Sequence, residues 1–130
     1  MINEFKFLNP QALTNIFGKI PTFEKAELLD IQLNRDGPIL SMRLMTKDQV
    51  KIKPKRWNKW DVVYIELSFF SIRNLEISRF GTNNLINEFI VIDKCGDGLL
   101  EIKCDNQLQI KAIFDWGKVE KVTPGLLGLP

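Results

Sequence analysis

Histidine is absent from the chain. Its absence removes the commonest general base, the commonest metal ligand and the usual partner of a Ser or Cys nucleophile. Cysteine is scarce: Cys95 and Cys104 alone, without histidine, do not make a zinc site. Phosphate loops and dinucleotide fingerprints are missing too, since Gly96-Asp97-Gly98 lacks the following glycine and helix. No window approaches the roughly 18 to 20 apolar residues that span a bilayer. The first residues, Met1-Ile2-Asn3-Glu4-Phe5-Lys6, contain an acid and no sustained apolar run, so no signal peptide is expected. These absences predict a protein that is not an enzyme, needs no metal or cofactor, avoids membranes and works in the cytoplasm.

What is present fits one globular domain over residues 1–130. The 45% hydrophobic and 26% charged composition is that of a chain with a single core, and a formal net charge of +2 is too small to imply nucleic acid by itself. No internal repeat, low-complexity segment or linker interrupts it.

Asn9-Pro10 followed by Gln11 to Phe17 and Gly18 predicts a short helix, with Asn9 as cap, Pro10 at the first helical position and Gly18 at the end. Leu13, Ile16 and Phe17 form its buried stripe. Phe5-Lys6-Phe7 either extends as an edge strand or docks by its two rings. From Glu27 the chain alternates, placing Glu27, Leu29, Ile31 and Leu33 on one face. Asn34-Arg35-Asp36-Gly37-Pro38 turns it, and Leu40, Met42 and Leu44 return. Glu27 thus shares the parity of the apolar residues, and a core-facing carboxylate needs a partner such as Arg35, Arg43 or an indole N–H.

Asp61 to Ile72 is the strongest strand, with Val63, Ile65, Leu67 and Phe69 inward and Tyr64, Glu66 and Ser68 outward. A turn at Arg73-Asn74 leads to Leu75 and Ile77. Gly81 to Asn84 breaks the pattern, and Leu85 to Glu88 is expected as a helical turn before a strand at Phe89 to Asp93. A hairpin at Gly96-Asp97-Gly98 returns through Leu100, Ile102 and Cys104. Leu108, Ile110, Ala112 and Phe114 finish the meander, and Trp116 is assigned to packing. That hairpin register separates the two thiols by about 16 Å at 3.3 Å per residue, so both are expected reduced. Pro124 to Pro130 is apolar and either docks on the body or offers a sticky patch. One short helix cannot cover six to eight strands, so the sheet must curl on itself or split into two packed layers. The expected fold is therefore α+β: a strongly curved, meander-like antiparallel sheet with the N-terminal helix packed against it.

The most unusual composition lies in Lys51 to Trp60. It carries Lys51, Lys53, Lys55, Arg56 and Lys59 without an acid, leaving 13 basic against 16 acidic residues elsewhere. Lys53, Lys55, Arg56, Trp57, Lys59 and Trp60 are the candidate partner-binding residues. Aromatic rings among cations suit a protein interface steered by charge, or single-stranded nucleic acid stacked on Trp57. The bland alternative is a solvated loop whose Trp60 caps the core. The small total charge and the lack of a recognised motif argue against nucleic acid. An exposed edge strand can also pair two copies, so a homodimer is compatible with the pattern.

The order Ile16-Phe17-Gly18, Pro21-Thr22-Phe23, Ala26-Glu27-Leu28 and then an alternating strand resembles the opening of the immunity protein 50 family. Phe23, Ala26 and Glu27 match the family's usual Phe-His-Asp-Ala-Glu-Val run, whereas Glu24 and Lys25 stand where His and Asp are usual. Trp60, the strand through Leu67 and Phe69, and Leu75 to Phe80 give a looser second match. The resemblance implies a bacterial protein that binds and neutralises the toxin domain of a polymorphic toxin system. Asp30, Asp36, Glu66, Glu76, Asp93 and Asp97 would serve such an interface if the toxin were basic.

Overall fold

Period-two alternation builds eight strands in the computed structural model, which describes residues 1–127. They are β1 (Glu27–Asn34), β2 (Ile39–Thr46), β3 (Val62–Phe70), β4 (Arg73–Ser78), β5 (Ile86–Lys94), β6 (Asp97–Cys104), β7 (Gln109–Phe114) and β8 (Trp116–Gly125). They form two four-stranded antiparallel sheets, in the orders β1-β2-β3-β8 and β4-β7-β6-β5. The expected single, strongly curved sheet is therefore corrected to two open sheets with the core between them. The chain passes from one sheet to the other at Ser71–Ile72 and again at Asp115, so the β3–β8 ladder runs on into the β4–β7 ladder. Phe69 of the first sheet meets Phe114 of the second edge-on, with ring centres 4.9 Å apart.

The helix α1 (Gln11–Phe17) buries Leu13 and Phe17 and ends at Gly18, whose φ of 80° is the left-handed conformation glycine takes without strain. Pro10, not Asn9, occupies the cap. The Asn9 amide instead brackets Val119, donating to its carbonyl at 2.8 Å and accepting from its N–H at 2.9 Å. Glu4–Lys6 is a 3-10 turn rather than a strand. Phe7 docks while Phe5 stays exposed.

Two bulges revise the sequence pattern. In β1, Leu28 pairs with Leu44 and Asp30 with Arg43, leaving Leu29 as an extra residue. Leu28, Ile31 and Leu33 consequently share the inner face with Leu44, Met42 and Leu40, and Glu27 lies opposite Met45 on the outer face. Glu27, which shares its sequence parity with the apolar residues, therefore does not face the core and is half-buried. In β8, the register shifts between Val119 and Lys121, so Glu120 is the extra residue.

Three turns also differ from expectation. Lys94 pairs with Asp97, which puts the hairpin turn at Cys95-Gly96 and sets Cys104 opposite Ile86. Both thiols are free, Cys95 exposed and Cys104 buried. Arg73 already belongs to β4. Instead of a helical turn, residues 84–86 pair with residues 25–28: the Leu28 N–H donates to Asn84 O at 2.9 Å and the Ile86 N–H to Ala26 O at 2.8 Å.

Candidate partner interface

The basic loop leaves β2 at Thr46 and rejoins the sheet at Val62. It is held down at both ends. The Lys51 and Ile52 N–H groups donate to Ile16 O at 2.8 and 3.1 Å, so the loop fills an acceptor at the open end of α1. At the other end the Asp61 N–H donates to Gly125 O at 3.0 Å, and the Asp61 carboxylate accepts from the Leu127 N–H at 3.0 Å. In the middle, the Trp57 N–H closes a turn on Pro54 O at 3.0 Å.

That turn drives Trp57 inward, where it is 1% exposed and part of the core. Trp60 packs partly buried against the same core, edge-on to Trp57 with ring centres 5.4 Å apart. The Trp57 Nε1 donor has no hydrogen-bond partner among the described residues. A buried indole offers no face for base stacking, and the two tryptophans act as anchors of the loop. Lys53, Lys55, Arg56 and Lys59 are all exposed, and none makes an ion pair among the described residues. A groove of about 330 Å³ opens between the end of α1 and the start of the loop, lined by Phe17, Lys19, Thr22, Asp48 and Lys51. The arrangement is a rigidly mounted cluster of unpaired cations.

A second concavity was not legible in the sequence. The outer face of β1-β2-β3-β8 holds a groove of about 410 Å³ lined by Asp30, Gln32, Ser41, Arg43, Glu66, Ser68 and Glu120. Arg43 is bridged to Asp30 at 3.0 Å. Ser68, 2% exposed, donates to Glu120 Oε2 at 3.0 Å and therefore accepts from Ser41 at 2.9 Å. Tyr64 lies under the Arg43 guanidinium at 5.8 Å. Trp116, assigned from sequence to packing, is 49% exposed and stands across from Phe70 on this face. Of the acids named for a basic toxin, Asp30 and Glu66 meet here, whereas Glu76, Asp93 and Asp97 belong to the other sheet and Asp36 to a turn. Glu120 joins this face by alternation with Trp116 and Lys118, and the β8 bulge brings Lys121 onto it as well, opposite Glu66.

Among the described residues no group of three or more Cys, Asp or Glu side chains is placed to hold a metal ion, and no helix is long and apolar enough to cross a membrane.

The family model described as Immunity protein 50 covers residues 9–125 of the chain. No curated protein and no solved structure matches it.

Proposed function

Because the chain belongs to the immunity protein 50 family, we propose that it is a non-catalytic immunity protein. It binds the toxin domain of a bacterial polymorphic toxin system and blocks a surface that the toxin needs. The family match over residues 9–125 carries this reading. Two unpaired cysteines fit action in the reducing cytoplasm.

The contact surface in this proposal is the Lys53, Lys55, Arg56 and Lys59 cluster, mounted on the Trp57 and Trp60 anchors. Four exposed cations without internal partners present a field that an acidic partner surface satisfies, and such fields accelerate encounter more than they slow dissociation. The buried Trp57 and the partly buried Trp60 packed against it support a rigid mount, which lowers the entropy lost on docking.

The test is a pull-down from nuclease-treated lysate of the native host under toxin-expressing conditions, followed by mass spectrometry. Recovery of the C-terminal domain of a large secreted protein is the expected result. Charge reversal at Lys55, Arg56 and Lys59 should then weaken that complex by about tenfold or more, mainly through the association rate. If no such domain is recovered, and bound RNA is lost on nuclease treatment, the immunity reading fails. A recovered domain whose affinity ignores the charge reversal places the contact elsewhere.

A further inference from the structure

Parts of the backbone edges in this fold are covered. Along β5, Met1–Asn3 adds a bridge: the Asn3 N–H donates to Val91 O at 2.6 Å and the Val91 N–H to Met1 O at 2.9 Å. Along β8, the Leu8 N–H donates to Gly117 O at 2.9 Å and Asn9 brackets Val119. The first residues of β1 pair with residues 84–86. Uncovered are β4, β8 past Val119 and the stretch of β1 from Asp30 to Asn34, none of which has an outer backbone partner among the described residues. The β8 stretch is blunted by the Glu120 bulge, Lys121 and Pro124.

The remaining open edges, β4 and β1, are not alike. The β4 edge is blunted: its ladder is irregular between Arg73 and Glu76, and Asn74 sits at a φ of 52°. Self-pairing that sets Leu75 against Ile77 would put Glu76 opposite Glu76 and Arg73 opposite Arg79. The β1 edge carries none of these devices. Past the Leu29 bulge its register is regular from Asp30 to Asn34, and it contains no lysine, proline or glycine. Leu33 is on the inner face, opposite the fully buried Leu40, and yet is 58% exposed, because β1 has no neighbour beyond it.

We propose that β1 is a homodimer edge, pairing antiparallel with β1 of a second copy about a twofold axis at Gln32. In that register Gln32 faces its own counterpart, Asp30 faces Asn34, and Ile31 faces Leu33. No like charges oppose, both amides find amide or carboxylate partners, and each exposed Leu33 is covered by an Ile31. The interface is isologous and joins two four-stranded sheets into one of eight. The edge is short, so the association is weak and depends on concentration. The basic loop lies outside the pairing strand, so the dimer presents two copies of it.

Sedimentation equilibrium of the full chain, from low micromolar to near-millimolar concentration, should show mass rising from 15.1 kDa towards twice that value. Leu33→Lys should remain monomeric throughout while keeping the native far-UV circular dichroism spectrum. As a second readout, Gln32→Cys in a Cys95→Ser background should form an intermolecular disulfide on mild oxidation, far faster than Glu76→Cys in the same background. This cross-link decides the matter if Leu33→Lys fails to fold. A monomer at every concentration overturns the proposal, as does a dimer that survives Leu33→Lys or cross-links equally at both positions.

Discussion

Lys6 Nζ lies 5.2 Å from the centre of the Trp116 ring and donates to Gly96 O at 2.7 Å and Asp115 O at 3.3 Å. The side chain is buried. Its charge is met by two carbonyl dipoles and an indole face, which together replace water. One ammonium therefore ties the N-terminal segment to the β5–β6 turn and to the crossing between β7 and β8. Lys6→Met keeps the stem and removes the donor, so both carbonyls lose their partner. We expect a loss of about 2 kcal/mol, read as a lower urea midpoint at unchanged slope.

Asn84 plays the matching part where residues 25–28 meet residues 84–86. Its Oδ1 accepts from the Gly81 N–H at 3.0 Å and from Asn106 Nδ2 at 2.7 Å, while its Nδ2 donates to Leu28 O at 3.2 Å and Gly81 O at 2.9 Å. Asn84→Ala strands these groups in a buried site, for a loss of about 2–4 kcal/mol. Asn84→Asp has the right shape but points an anion at two carbonyl oxygens. Burial raises the pKa of that new carboxyl above the usual value of about 4. Its folded form holds the proton more tightly, so the variant should regain stability as pH falls below the folded pKa, when the acid can donate. Urea titrations at neutral and acid pH check the sign, and an Asp variant equally weak at both would remove Asn84 from this role.

Cys104 differs from Cys95 by burial. Desolvation, with a smaller push from Asp105, raises the Cys104 thiol from 9.0 to about 11. At pH 8 its thiolate fraction is about a hundredfold below that of an ordinary thiol, and the thiolate is the nucleophile. Iodoacetamide should therefore add once per native chain, at Cys95, and twice in urea. The linkage sign follows: between pH 9 and about 11 the folded chain keeps a proton that the unfolded chain releases, so stability falls as pH rises through that window. Cys104→Ala should flatten the fall.

Sequence periodicity revealed β2, β3, β6 and β7 because none of them carries the extra residue of a bulge, and it revealed the helix stop because Gly18 is a strong terminator. It misplaced what tertiary context decides. The β5–β6 turn lies at Cys95-Gly96 since Gly98 must sit under Phe114, where an added Cβ would come within 2.6 Å of the ring. Asn84 resembles a helix cap in sequence, yet its partners come from Leu28 and Asn106, far along the chain. The candidate residues of the basic loop were nameable from charge alone. That Trp57 would be buried and Trp116 exposed was not, because an indole's composition is the same in either place.

The strand β8 escaped notice because Val119 and Val122 are three apart, a spacing that looks helical until Glu120 is counted as a bulge. The same device in β1 supplies a sharp test. Removing one residue from a strand normally turns every later side chain to the wrong face. Removing Leu29 should not. With it gone, Glu27, Leu28, Asp30 and Ile31 run in strict alternation, and each keeps its present partner on β2. The cost is then confined to the half-buried Leu29 side chain and to the loss of local twist, about 1–2 kcal/mol. Deleting Gln32 from the same strand instead forces either Leu33 and Asn34 or Leu28 and Ile31 to exchange faces, and should abolish cooperative unfolding. Thermal melts of the two deletions decide between them. If both variants unfold alike, the Leu29 bulge is required for the corner at residues 84–86 and is more than an insertion the ladder tolerates.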